Sequence, residues 1–346
     1  MSLKPGLRRL VTVAVTVLAF VALLVIGTSV KVPYVALGPG PTVNTLGMAG
    51  DKPVVQIEGA QVDKTAGNLN LTTVSVVDGM SLFDSIGKWV SGEYTLSPRD
   101  RVFPSDQSPQ QVREGNLRDM TDSEDNATLA ALLHLNRPTE LIVEDVAADG
   151  PAAGVLRKDD VLVSVAGEPV RTTAQVQQII RALAPGTALA LEVRRGTAIQ
   201  HVSVTVGKRP DDPKRGYLGV TPELRNADPN LKITFNVGDI GGPSAGLMMT
   251  LAVIDKLTPG LLNSGKFIAG TGTIDPDGNV GLIGGITHKT RAARDEGATV
   301  FLVPVGNCSE AKGDKPDGLE LVKVNTLDDA LGALEKLGAG QPLPQC

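Results

Sequence analysis

The hydrophobic positions of this chain change rhythm several times. From Leu10 to Val30 they run almost unbroken, LVTVAVTVLAFVALLVIGTSV, with no ionisable side chain among 21 residues. As a helix, such a run covers about 30 Å, the thickness of a bilayer's hydrocarbon core. Lys4, Arg8 and Arg9 precede it and Lys31 alone follows closely. The positive-inside rule then leaves residues 1–9 in the cytoplasm and sends the rest across. A cleaved signal peptide has a shorter apolar stretch and a small-residue cleavage site, for which Gly27-Thr28-Ser29 is a poor match. The expectation is a single-pass anchor over 10–30 in the cytoplasmic membrane, with the bulk of the chain extracytoplasmic.

Beyond the anchor the pattern divides into three blocks and a tail. Residues 31–137 open on Gly38-Pro-Gly-Pro41, then alternate as strands in Pro53–Ile57 and Leu69–Val77. Ser108 to Leu135 reads as a helix closed by Pro138. This block shows no chemistry and is expected to connect and position its neighbours. Residues 138–209 run strand (Leu141–Val146), turn (Gly150-Pro-Ala-Ala-Gly154), strand (Val161–Val165) and a helix capped by Thr172 or Thr173. A hairpin follows, around Arg195-Gly196. Polar, Pro-containing Lys208–Arg215 marks a boundary. Residues 216–338 mix strands (Ile233–Val237, Phe267–Ile274, Val300–Val303) with helices (Ser244–Leu257, Thr287–Gly297), and 339–346 form a Pro-rich tail. The fold class is therefore α/β (α+β) and multidomain, with a mixed sheet in the last block.

Composition removes several functions. With 42% hydrophobic and 21% charged residues, the chain is foldable. A net charge of −5 without a basic stripe, and only 3% aromatics, argue against nucleic-acid binding. His134, His201 and His288 show no metal-ligand spacing, so neither metal nor cofactor is expected. Outside the cytoplasm, Cys308 and Cys346 are free to form a disulfide tying the tail to the last block, or to remain two separate thiols.

Two motifs look more informative than they are. Gly260–Phe267 nearly fits the phosphate-binding G-x-x-x-x-G-K-[ST] loop, but Phe267 replaces the hydroxyl that holds magnesium and the stretch precedes a strand. Gly242-Pro-Ser-Ala-Gly246 fits the G-x-S-x-G elbow of α/β-hydrolases, with Asp275 or Asp277 and His288 as partners. Too little chain follows for that fold's repeated βα sheet.

A third constellation has a better chemical rationale. Ser244 follows Gly241-Gly242-Pro243 and opens a helix, where unpaired N–H groups, such as those near Gly242 to Ala245, favour a developing oxyanion. A hydroxyl nucleophile needs a base, and Lys289, in the first turn of a helix 45 residues on, serves as one if burial or positive potential keeps it neutral. Taken singly, Ser244 reads as a helix cap and Lys289 as a surface side chain.

Two resemblances bear on these alternatives. The order GPAAG-VLRKDDVLVSVAGEPV, helix, hairpin is similar to a bacterial PDZ domain over about 70 residues. Asp159 stands where a Gly usually precedes the Asp of that turn, and no Gly-rich carboxylate-binding loop precedes Leu141. GGPSAG followed by AGTGTIDPDGNVGLIGGITHKTRAA resembles the proteolytic domain of the Lon protease family. That resemblance implies Ser244 as nucleophile, Lys289 as general base and Thr271 as a contact of the lysine. Gly241 stands where many Lon proteases have Asp. With an anchor and a PDZ-like unit in place of an ATPase module, the whole looks like the membrane-bound, ATP-independent Lon-like proteases of bacteria. The expected partners are flexible or unfolded proteins, peptide termini at the PDZ-like unit, and copies of the chain in a hexameric ring. The competing expectations are an anchored PDZ adaptor without catalysis, and a hydrolase using His288.

Overall fold

The computed structural model describes residues 5–346; Lys4, counted above among the charges flanking the anchor, lies outside them. Helix Pro5–Ser29 contains the apolar run except Val30, and Arg9–Ser29 is long and apolar enough to cross a membrane or to act as a signal sequence. Its last turn meets the folded part at Gly27, where an added Cβ would lie 2.3 Å from the Phe83 ring.

Two large sheets organise the remainder. The first is mixed, with the order Glu320–Val324, Val300–Pro304, Phe267–Gly270, Asn68–Val77, Tyr34–Asn44, Thr95–Pro98. The first four strands run parallel, and the last two each oppose their neighbour. Val300–Pro304 is buried along its whole length, as a parallel strand covered on both faces must be. Helix Gly246–Leu257 is buried from Gly246 to Lys256. It is apolar nearly all round because it packs between this sheet and the long helix Pro109–His134.

Residues 31–137 therefore do more than connect. They supply three strands of the mixed sheet, the helix Pro109–His134, and Val55–Glu58, which pairs with Lys232–Phe235. Alternation along Leu69–Val77 reveals a strand but not its partner nearly 200 residues away. The expected strand Phe267–Ile274 breaks at Thr271-Gly272, where Gly272 adopts φ 151° and the chain leaves the sheet to meet the Ser244 loop.

The second sheet is antiparallel, in the order Ala198–Thr205, Ala188–Arg195, Val161–Val165, Thr139–Val146, Val220–Asn226. Inward positions Leu189, Leu191 and Val193 join Leu141, Val143, Val176 and Ile180 in its own core. Thr172 is the cap of helix Thr173–Ala182, its hydroxyl accepting the Gln175 N–H. Asp159 has φ 66°, which accounts for the glycine expected there. Val220–Asn226, expected in the last block, instead completes this sheet against Thr139–Val146.

Cys308 and Cys346 are bonded, with Cα atoms 5.2 Å apart. The tail runs back along Glu320–Val324, the Cys346 N–H donating to the Leu321 carbonyl and the Lys323 N–H to that of Pro344.

Candidate active site

Ser244 sits in a short 3-10 turn, Pro243–Ala245, that leads directly into the buried helix Gly246–Leu257. Gly242 enters the turn with φ 87°, a conformation that disfavours a side chain. The long helix Pro109–His134 holds this loop. The Asn116 carbonyl accepts the Gly242 N–H at 2.8 Å, and Ser123 Oγ donates to the Pro243 carbonyl at 3.1 Å. The Gly242 amide is thus already engaged, which corrects the expectation that it faces an oxyanion. Pro243 has no N–H, so the amides of Ser244 and Ala245 are the donors left at the start of the turn.

Lys289 lies on helix Ile286–Asp295, which begins at Gly285 with φ 68°. A Cβ on Gly285 would come 2.8 Å from Val74, so the glycine lets this helix approach strand Asn68–Val77 closely. The lysine is 3% exposed, and its Nζ is 2.7 Å from the Thr72 carbonyl, 2.8 Å from Ser244 Oγ and 3.2 Å from Thr271 Oγ1. Thr271 Oγ1 donates to the Ser244 carbonyl at 3.0 Å, so toward the lysine it acts as acceptor. The Gly272 N–H donates to the same carbonyl at 2.9 Å.

An ammonium would donate to all three oxygens, whereas a neutral amine would give two N–H groups to Thr72 and Thr271 and turn its lone pair to the hydroxyl of Ser244. Desolvation pushes the Lys289 pKa down to about 8, which puts the neutral form within reach at ordinary pH. A cleft of about 450 Å³ opens onto the pair, lined by Thr73, Val74, Met120, Ile240 and Gly284 among others. Beyond the Leu71–Gly270 register pair, strand Asn68–Val77 loses its parallel neighbour, and Thr73 and Val74 present that edge to the cleft.

The other candidates fall away from this centre. His288 is buried, its Nδ1 has no hydrogen-bond partner, and desolvation lowers its pKa. Asp275 accepts from the backbone and side chain of Asn279 within its own turn. Gly260–Phe267 enters strand Phe267–Gly270 instead of leaving one. Among the described residues no cluster of His, Cys, Asp and Glu is suited to a metal.

A second concavity, about 370 Å³, lies on the antiparallel unit between helix Thr173–Ala182 and the segment Gly216–Val220. Val176, Gln177, Ile180 and Arg181 form one wall, and Gly216-Tyr217-Leu218-Gly219-Val220 the other. This glycine-bearing loop follows the helix in sequence, so searching upstream of Leu141 misses it.

Comparison with known proteins assigns both units. Residues 142–195 match the PDZ domain model, and residues 229–335 match that of the Lon protease (S16) C-terminal proteolytic domain. A region that matches the PDZ domain model thus precedes one that matches a Lon-type serine-peptidase domain. The Lon protease of Phenylobacterium zucineum is 36% identical over 121 residues, 34% of this chain and 15% of that protein. A probable periplasmic serine endoprotease DegP-like of Pseudomonas fulva is 38% identical over 88 residues, 25% of this chain and 18% of that protein. The chain thus spans less than a fifth of the length of these relatives. Among solved structures, the PDZ domain of an SdrC-like protein from Listeria monocytogenes aligns with 24% of this chain and 86% of its own, at 18% identity and a TM-score of 0.22.

Proposed function

We propose that this protein is a membrane-anchored serine endopeptidase that cleaves flexible or unfolded extracytoplasmic segments without ATP, using a Ser244–Lys289 dyad. The observation that carries the reading is the 2.8 Å approach of a buried lysine amine to the Ser244 hydroxyl, at the floor of an open cleft. Ser244 Oγ attacks the scissile carbonyl carbon while its proton passes to Lys289 Nζ. The amides of Ser244 and Ala245 stabilise the oxyanion. As the C–N bond breaks, the lysine ammonium returns the proton to the departing amine. Water, activated by the same amine, then hydrolyses the ester. The reaction consumes only water, so nucleotide would serve unfolding alone; substrates must arrive already extended.

Thr271 holds the amine in line, and the open edge at Thr73 and Val74 suits an extended chain added as a strand. The groove between helix Thr173–Ala182 and Gly216–Val220 suits capture of a peptide terminus in the same manner. The helix Arg9–Ser29 is the membrane anchor, with its amino end cytoplasmic by charge. A ring of copies, hexameric by family likeness, would set the cleft within a chamber.

The test is cleavage of unfolded casein without ATP by the purified full chain. Ser244→Ala and Lys289→Met should each lose at least about 10³-fold in rate, with His288→Ala active. An inert wild type with an ordered fold would favour the adaptor, and loss in His288→Ala with activity retained in Lys289→Met would favour the histidine hydrolase.

A further inference from the structure

The helix Leu82–Ser91 wears its apolar face outward. Leu82, Phe83, Ile86, Trp89 and Val90 fall on one stripe, and each is 40–71% exposed. The side turned into the protein carries Ser85, which is buried, while Asp84, Lys88 and Ser91 flank the stripe. A globular surface helix has the opposite arrangement. Propensity is not the reason for this helix, since it contains Gly87 and a β-branched Val90; it is fixed by its ends. Ser81 and Asp84 form a reciprocal capping box, and Gly92 closes the far end with φ 72°.

The position of this helix says what covers the stripe. Lys31, two residues beyond the end of the anchor helix at Ser29, bridges to Ser81, and the Val32 N–H donates to the Met80 carbonyl at 3.0 Å. Phe83, itself part of the stripe, rests on Gly27 in the last turn of the anchor. The stripe and the anchor thus share a boundary, and the stripe begins where the apolar anchor surface stops. Large apolar side chains with a Trp, flanked by lysine and placed at the level where a span ends, suit the boundary of headgroups and acyl chains.

We propose that Leu82–Ser91 lies in the outer-leaflet interface of the bilayer that the anchor crosses, with Phe83, Ile86, Trp89 and Val90 among the lipids. This rests on the reading of Arg9–Ser29 as a membrane span. The contact gives the folded part a second point of attachment and a fixed orientation, which a single helix and short joint would leave free to swivel.

Trp89 is the only tryptophan of the chain, so its fluorescence reports the helix directly. The full chain is reconstituted into phosphatidylcholine–phosphatidylglycerol vesicles with and without bromine on the acyl chains. The expected result is blue-shifted emission that brominated lipid quenches by at least about half and aqueous iodide quenches little. Ile86→Asp with Val90→Asp, both at exposed positions, should restore iodide quenching and reduce quenching by brominated lipid. A companion protein with Trp89→Phe and Leu18→Trp reports the anchor separately. If Leu18→Trp is quenched by brominated lipid and Trp89 is not, the interfacial helix is refuted and the anchor stands. If Trp89 is shielded from iodide yet insensitive to brominated lipid, a second protein copy covers the stripe and the proposal fails. If Leu18→Trp is not quenched, the anchor reading fails and this proposal with it.

Discussion

Lys289 and Thr72 stand 217 residues apart in sequence, and the amine of one donates to the backbone carbonyl of the other at 2.7 Å. The contact ties the helix that carries the base to the central strand of the mixed sheet. It also occupies one amine proton, so that the remaining directions at Nζ are shared between Thr271 and Ser244. A strand from residues 31–137 is therefore part of the proposed catalytic geometry.

The pH dependence follows from the lysine. Burial lowers its pKa from 10.5 to about 8, and in the proposed dyad the neutral form is the base, so about a tenth of molecules should be competent at pH 7. Peptidase rate should rise about tenfold per unit below that pKa and level off above it. The log of kcat/KM against pH in the absence of ATP should bend near 8. A bend near 6 would point to a histidine base.

Thr271 accepts from Lys289 and donates to the Ser244 carbonyl, contacts that suit a positioning residue of the proposed dyad. Thr271→Val should lower kcat about 10- to 100-fold with little change in KM, because the amine loses its aim and not the substrate its contacts. It should also move the pH midpoint down, since the ammonium form loses an acceptor. Thr271→Ser keeps the hydroxyl and should recover most of the rate and the midpoint.

Among the described residues the single disulfide closes a loop with a sequence separation of 38 between Cys308 and Cys346. Loop-closure entropy for that length is worth about 4 kcal/mol. Cys308→Ser and Cys346→Ser should each lower the urea midpoint of the purified protein in detergent to the same extent. Adding reductant to the wild type should reproduce the shift, and adding it to either variant should do nothing.

The groove on the PDZ unit predicts a separable function. Ile180 lines it from the helix side and is 8% exposed, and Ile180→Ala removes apolar area there. Binding of a peptide with an apolar free carboxyl terminus, measured by titration, should weaken about tenfold. Hydrolysis of a small ester at Ser244 should stay the same.

The grouping of Ser244, Thr271 and Lys289 was open to reading because glycine-punctuated segments carry all three: Ser244 in a short turn, Thr271 between two strands, and Lys289 in the first turn of the helix after Gly284-Gly285. The long apolar helix was equally plain, since its uniform run of hydrophobic residues needs no partner segment to be recognised. The support behind the site was not. A backbone carbonyl at Thr72 or Asn116 has no residue-type signature, and Ser123 looks like any other polar position on a long helix. The parallel pairing of Asn68–Val77 with Phe267–Gly270 is likewise invisible to local alternation, because it depends on which edge lies open after the helices pack. Gly242 was expected to offer its amide to an oxyanion, and its amide partner Asn116 on a distant helix was not legible. Its amide is held by Asn116, so the proposed oxyanion contacts fall to the amides that follow Pro243.

Acylation of Ser244 through Lys289 can be observed on the enzyme itself. The full chain is mixed with an activated peptide ester at pH 8, quenched in acid and digested, and the adduct is located by tandem mass spectrometry. The acyl group should sit on Ser244 in the wild type and in His288→Ala, and be absent from Ser244→Ala and Lys289→Met. An adduct on another residue, or one formed at an undiminished rate in Lys289→Met, would contradict the dyad.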